Sequence, residues 1–77
     1  MLTADQIKTK MAQTLGINQS LLVDEALLQE VVAESFILID MVIEVQNEFK
    51  IRLNQEDLAN VRTVGQFINT VQTKSAD

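Results

Sequence analysis

The sequence of 77 residues contains no cysteine, no histidine, no proline, no tryptophan and no tyrosine. Without cysteine or histidine, the chain cannot form a disulfide, a zinc site of the usual kind, or a nucleophile paired with an imidazole base. General acid–base chemistry would fall to carboxylates and lysines, and no evident partner stands beside them to complete a catalytic pocket. These absences indicate that the protein is not an enzyme.

Long apolar runs are also missing from the sequence. The most apolar segment, residues 36–45, is interrupted by Asp40 and Glu44, so we expect no membrane span. The first residues lack the basic start and apolar block of a secretory signal. About half of the residues are apolar (47%), and the length suits one domain over residues 1–77. We therefore expect a cytoplasmic, monomeric domain of modest stability.

Positive charge is scarce, and its distribution is uneven. The chain has 11 acidic and 6 basic residues, for a net charge of −5, and residues 24–48 contain seven acids and no lysine or arginine. Such an acidic block repels phosphate backbones and anionic membrane surfaces, which argues against nucleic acid and lipid partners. It attracts a basic patch on a partner protein. Solubility alone is the alternative explanation for the same acids.

Two capping-box patterns mark helix starts, at Thr3 with Gln6 and at Thr63 with Gln66. Gly16 stands where the first of these helices would end. Apolar residues recur at helical spacing after each box, which predicts one buried face per helix. They are Ile7, Met11 and Leu15 in the first helix, and Val64, Phe67, Ile68 and Val71 in the last.

The longest predicted helix is Ser35–Phe49, with Ser35 as its N-cap. Met41, Val45 and Phe49 form an apolar stripe along it. Its many β-branched residues would also be compatible with a β-strand if secondary-structure propensity were considered alone. The spacing of its polar residues favours a helix. Residues 17–34 are too apolar for a loose linker, and residues 54–59 suit a short helix. The prediction is an all-α, small four-helix bundle with three longer helices, one short helix and a long first loop.

Glu34-Ser35-Phe36 opens the central helix, at the place where acyl carrier proteins have an Asp-Ser-Leu triplet. Residues 39–49 then resemble that family's apolar and acidic helix, which ends in Glu-Phe. Residues 51–53, 56–57 and 63–68 are similar to the family's closing segment. The chain thus resembles the acyl carrier protein family over nearly its whole length.

The resemblance implies that a 4'-phosphopantetheine arm from coenzyme A is attached to Ser35, flanked by Glu34 and Phe36, and carries acyl groups as thioesters. A helix N-terminus suits the arm's phosphate, and the arm supplies the thiol that a chain without cysteine lacks. The implied partners are a phosphopantetheinyl transferase and ketosynthase- and acyltransferase-type enzymes with basic docking patches. The residues expected to meet these partners are Ile37, Asp40, Glu44 and Glu48.

The same resemblance suggests an apolar pocket that shelters the acyl chain beneath Ser35. Its expected lining is Leu38, Ile39, Val42, Ile43, Val61 and Ile68. Ordinary core packing is the alternative explanation for these six residues.

Four positions depart from the family pattern, and together they indicate a divergent carrier. Glu34 replaces the usual aspartate, and Val32 stands where a glycine commonly precedes the triplet. Phe36 replaces leucine, and Ile37 stands where the family often has an acid, so that it would expose an apolar spot there. These departures favour polyketide or other secondary-metabolite biosynthesis over general fatty acid synthesis. A peptidyl or aminoacyl carrier, and an unmodified adaptor in which Ser35 is only a helix cap, remain the alternatives.

Overall fold

The computed structural model describes residues 2–76, so that Met1 and Asp77, the ends of the predicted domain, lie outside it. Within this range the chain forms five α-helices and no strand. The helices are α1 (Ala4–Leu15), α2 (Leu28–Val31), α3 (Ser35–Phe49), α4 (Gln55–Leu58) and α5 (Val64–Ser75), with a 3₁₀ turn at Gln19–Leu21. The all-α bundle is confirmed, and α2 is an additional short helix within the predicted first loop. None of the helices in this range is both long enough and apolar enough to cross a membrane.

Both predicted capping boxes are present and set the starts of α1 and α5. The Gln6 and Gln66 backbone N–H groups donate to the hydroxyls of Thr3 and Thr63, each at 3.1 Å. A third box, between Asn54 and Asp57, begins α4 one residue later than predicted. Gly16 ends α1 in the left-handed conformation, with φ 69°, which glycine adopts without strain.

The core lies between the three long helices. Each long helix buries most of the apolar stripe that its sequence spacing predicts, and Leu15 and Phe49, the last stripe residues of α1 and α3, are half-buried against the core. The residues that are fully buried or nearly so are Ile7 and Met11 of α1, Met41 and Val45 of α3, and Val64, Phe67, Ile68 and Val71 of α5. The charged residues of α3 are left on its outer side.

The segment before α2 is held against the start of α5 by backbone hydrogen bonds. Leu27 and Thr63 form an isolated antiparallel bridge, and the Gly65 N–H donates to the Asp24 carbonyl at 2.9 Å. A Cβ at Gly65 would lie 3.1 Å from that carbonyl oxygen, so a larger residue would push Asp24 away by a few tenths of an ångström. This contact fixes the first loop and therefore the position from which the chain enters α3.

Asp57 joins α4 to α5. Its Oδ2 accepts from the Asn54 backbone N–H at 2.9 Å and lies 3.1 Å from the Lys74 ammonium. The hydrogen bond from Asn54 is the main cause that lowers the pKa of Asp57; desolvation opposes it, and Lys74 adds to the lowering. Because the folded-state pKa is depressed, the link stabilises the fold at neutral pH and is lost only as the pH falls through that pKa.

Candidate functional site

Ser35 is the first helical residue of α3, and Glu34 is its N-cap. Glu34 has extended dihedrals (φ −100°, ψ 121°), and its carbonyl accepts from the Ile37 and Leu38 N–H groups at 3.2 and 3.3 Å. The prediction that Ser35 is the N-cap is therefore wrong by one residue. The reason is that the helix already begins with the Glu34 carbonyl, so Ser35 has helical geometry and its side chain does not cap.

This position leaves the Ser35 hydroxyl free. Ser35 is exposed, and within residues 2–76 its hydroxyl makes no hydrogen bond. The backbone N–H groups of Ser35 and Phe36 likewise donate to no acceptor in that range. A phosphate ester on this hydroxyl would meet two free donors and the positive end of the α3 dipole. The residues present therefore fit a phosphodiester at Ser35.

An apolar cavity of about 390 Å³ lies between α3 and the α4–α5 side of the bundle. A volume of this size is within the range of small-molecule sites. Its one polar lining side chain, Gln46, is held by accepting a hydrogen bond from the Leu53 N–H at 2.8 Å. The lining is Leu28, Leu38, Ile39, Val42, Ile43, Gln46, Leu58, Val61 and Phe67.

Five of the six residues predicted for an acyl pocket line this cavity, and Ile68 does not. Ile68 packs into the core at 5% exposure instead, while its neighbour Phe67 faces the cavity. Sequence reasoning missed Phe67 because adjacent residues on a buried helix face cannot be separated by periodicity alone. Leu28 and Leu58 were missed because they belong to short helices whose packing depends on distant contacts.

The rim of the cavity is exposed along one side of α3. Ile39 and Ile43 line the cavity and are nevertheless 58% and 46% exposed. Phe36, which is 61% exposed, precedes them. Ile39 is four residues beyond Ser35, a rise of about 6 Å along the helix. The free hydroxyl and the opening of the cavity thus lie near each other on α3.

The three acids expected to meet partners are brought together on α3. Asp40, Glu44 and Glu48 are all exposed and follow each other at four-residue steps. Ile37 is half-buried rather than fully exposed, because it lies in the cleft between α1 and α3 beside Leu15. The exposed apolar residues near Ser35 are instead Phe36, Ile39 and Ile43.

One basic residue reaches these acids, and no sequence signal indicated it. The Lys10 ammonium of α1 lies 3.9 Å from a Glu44 carboxylate oxygen and 3.6 Å from one of Glu48. Periodicity identifies the faces of each helix but not which faces of two helices meet. Asp40 forms no ion pair within the part of the chain that the structure describes.

Two comparisons with known proteins bear on this site. The family profile described as "Phosphopantetheine attachment site" matches residues 5–71. The acyl carrier protein of Thermotoga maritima is 29% identical over 70 residues, which span 90% of this chain and 86% of that protein. The matched range contains Ser35, the acidic side of α3 and the whole cavity lining.

Proposed function

This chain belongs to the phosphopantetheine attachment-site family of carrier proteins, which includes the acyl carrier proteins, and we propose that Ser35 is its attachment residue. The cofactor of the family is 4'-phosphopantetheine, held covalently. The observation that carries the proposal is the exposed hydroxyl of Ser35, which makes no hydrogen bond within residues 2–76 although it stands at a helix start. The chain then carries acyl groups as thioesters, and partner enzymes make and break the bonds.

The attachment step needs only a hydroxyl from this chain. The Ser35 Oγ forms a bond to the pantetheine-side phosphorus of coenzyme A while the pyrophosphate bond breaks and adenosine 3',5'-bisphosphate leaves. The hydroxyl proton passes to a base of the transferase. The N–H groups of Ser35 and Phe36, which have no acceptor within residues 2–76, would hold the phosphodiester charge once the arm is attached. When bound, the arm supplies the thiol that this sequence lacks.

The apolar cavity is the proposed shelter for the acyl chain. Ile39 and Ile43 lie at its rim and Phe67 faces its interior. An acyl chain that enters from the Ser35 end therefore exchanges contacts with water for apolar contacts. With an octanoyl group on the arm, we expect nuclear Overhauser contacts from the acyl methylenes to the methyl groups of Ile39 and Ile43. Ile7, which is fully buried outside the lining, is the control and should show none. Contacts to Phe36 alone would contradict the proposed binding in the cavity, because they would place the acyl chain on the protein surface.

The proposed partners are a phosphopantetheinyl transferase and ketosynthase- and acyltransferase-type enzymes that present lysine and arginine. Asp40, Glu44 and Glu48 supply the complementary charge. Contacts between exposed charges are fast to form and weakened by salt, which suits a carrier that must leave each enzyme quickly.

We assign the carrier to polyketide or other secondary-metabolite biosynthesis, because apolar Ile37 stands where related carriers often have an acid. In the cleft beside Leu15, Ile37 offers an apolar contact next to Asp40. Ile37→Asp is expected to lower kcat/KM with a ketosynthase from the same source by about three- to tenfold, the range of a partly buried interface contact. Val23→Asp, which makes the same charge change at an exposed apolar residue away from α3, is the control and should change little. Equal rates for the two variants would remove the basis for this assignment.

Intact mass after incubation with coenzyme A and a broad-specificity phosphopantetheinyl transferase tests the proposed attachment. We expect a gain of one phosphopantetheinyl group. No gain with that enzyme, or with a transferase from the same source, would favour an unmodified adaptor.

A further inference from the structure

Lys10 is the one basic residue placed against the acidic side of α3 within residues 2–76. Its ammonium lies 3.9 and 3.6 Å from carboxylate oxygens of Glu44 and Glu48. Its side chain is only 22% exposed, whereas those of the two acids are 52% and 53% exposed. The lysine stem is therefore packed between α1 and α3, while both carboxylates are half exposed, so a second cation that approaches them competes with the Lys10 ammonium.

The ion pairs of Lys10 make the two ends of the acidic side of α3 different in charge. Near Ser35, Asp40 forms no ion pair within residues 2–76, although Lys10 lines the same α1–α3 cleft together with Leu15 and Ile37. Farther along α3, Glu44 and Glu48 are partly neutralised by one lysine. An incoming cation thus meets an unpaired carboxylate at Asp40, whereas at Glu44 and Glu48 it meets carboxylates whose charge is partly neutralised by Lys10.

We propose that Lys10 is an internal competitor for Glu44 and Glu48, so that a partner surface rich in arginine or lysine must displace it to dock along the whole of α3. The partner class rests on the proposed function, in which basic enzymes dock on this helix. A partner that contacts only the Ser35 end of α3 forms its ion pairs with Asp40 and leaves the ion pairs of Lys10 intact. A partner that extends to Glu48 breaks them, and its affinity is reduced accordingly. Lys10 is therefore a residue that discriminates between partners by the length of their basic patches.

Lys8 provides a matched control on the same helix. Its side chain is also 22% exposed, and it also forms an ion pair, with Asp24 at 3.5 Å. Because it precedes Lys10 by two residues, it lies about 200° away around α1 and does not reach the acids of α3. Removing either lysine changes the net charge by the same amount. A difference in peptide affinity between the two variants therefore reports the local competition for the acids of α3 and not the overall electrostatic field of the protein.

The experiment measures binding of a hexaarginine peptide to the unmodified protein, by NMR titration of backbone amides at low ionic strength. Lys10→Met, which keeps an apolar stem, is expected to bind the peptide about three- to tenfold more tightly than Lys8→Met. The largest shift changes should fall at Asp40, Glu44 and Glu48. When Glu44→Gln and Glu48→Gln are both present, the advantage of Lys10→Met over Lys8→Met should disappear, as a double-mutant cycle requires for a direct interaction.

Equal affinities of Lys10→Met and Lys8→Met in the native background would overturn the proposal, as would an advantage that survives the two glutamine substitutions. Lys10→Gln serves as a second variant if the methionine disturbs packing, and the dispersion of its amide spectrum reports folding directly. Peptide binding does not need the arm, so it is independent of the attachment at Ser35. Treating the same samples with transferase and coenzyme A reports separately on the proposed function: absence of a mass gain there would count against the carrier role and not against the competition by Lys10.

Discussion

Ser35→Ala is expected to abolish attachment of phosphopantetheine while leaving the fold intact. The hydroxyl is the proposed acceptor, and no other residue replaces it in the same place, so the loss should be complete rather than partial. The stability should change by less than about 0.5 kcal/mol, because the Ser35 hydroxyl makes no hydrogen bond within residues 2–76 and alanine is favourable in a helix. Intact mass and thermal unfolding measure the two effects on one sample.

The control for this experiment is Ser20→Ala. Ser20 is also exposed, and its hydroxyl makes no hydrogen bond within the described part of the chain, but it lies in the 3₁₀ turn away from the start of α3. It should be modified as efficiently as the native protein. A phosphopantetheinyl gain in Ser35→Ala that is lost in Ser20→Ala would move the attachment site and refute the assignment of Ser35.

Phe67→Ala is expected to cost about 3–5 kcal/mol of unfolding free energy, the range for truncating a buried aromatic side chain. Phe67 is fully buried in the first turn of α5 and also lines the apolar cavity, so its removal would enlarge an existing void. A chain of 77 residues has a total stability of roughly 4–12 kcal/mol. The variant should therefore lose a large part of its stability, and at the lower end of this range it would be unfolded. Urea denaturation followed by circular dichroism measures the loss.

Phe36→Ala is the matched control, because it removes the same side chain from a surface position. Phe36 is 61% exposed, so its loss should change the unfolding free energy by about 0.5 kcal/mol or less. It should instead slow modification by the transferase, since Phe36 adjoins the proposed acceptor. Equal stabilities of the two variants would contradict the placement of Phe67 in the core.

Local signals in the sequence predicted the starts of the three long helices to within one residue, the ends of α1 and α3, and most of their buried faces. The capping boxes at Thr3 and Thr63 and the terminal glycine at Gly16 depend on contacts within a few residues, and each is present. The apolar stripes are likewise a property of one helix at a time, so their burial followed from spacing. The error at Ser35 was small, because glutamate and serine are both compatible with a helix start and only the backbone dihedrals separate them.

Features that depend on distant parts of the chain were not predictable in the same way. Lys50 ends α3 in the left-handed conformation (φ 56°), although no glycine marks the position. The helix α2 is four residues long and too short for periodicity to show. The cavity unites residues from four helices and the segment before α5, and Lys10 meets α3 only because the bundle packs α1 against it. For the site, the sequence identified Ser35, the acids of α3 and most of the lining, but not how they are arranged.

We propose that this chain bears an acyl thioester on an arm at Ser35. The most direct measurement incubates the native protein with acyl-coenzyme A and a phosphopantetheinyl transferase, and then determines intact mass before and after neutral hydroxylamine. We expect a gain of one acyl-phosphopantetheinyl group, release of the acyl part alone by hydroxylamine, and the remaining mass on the peptide that contains Ser35. An unmodified protein with every transferase tried, or a modified peptide without Ser35, would contradict it.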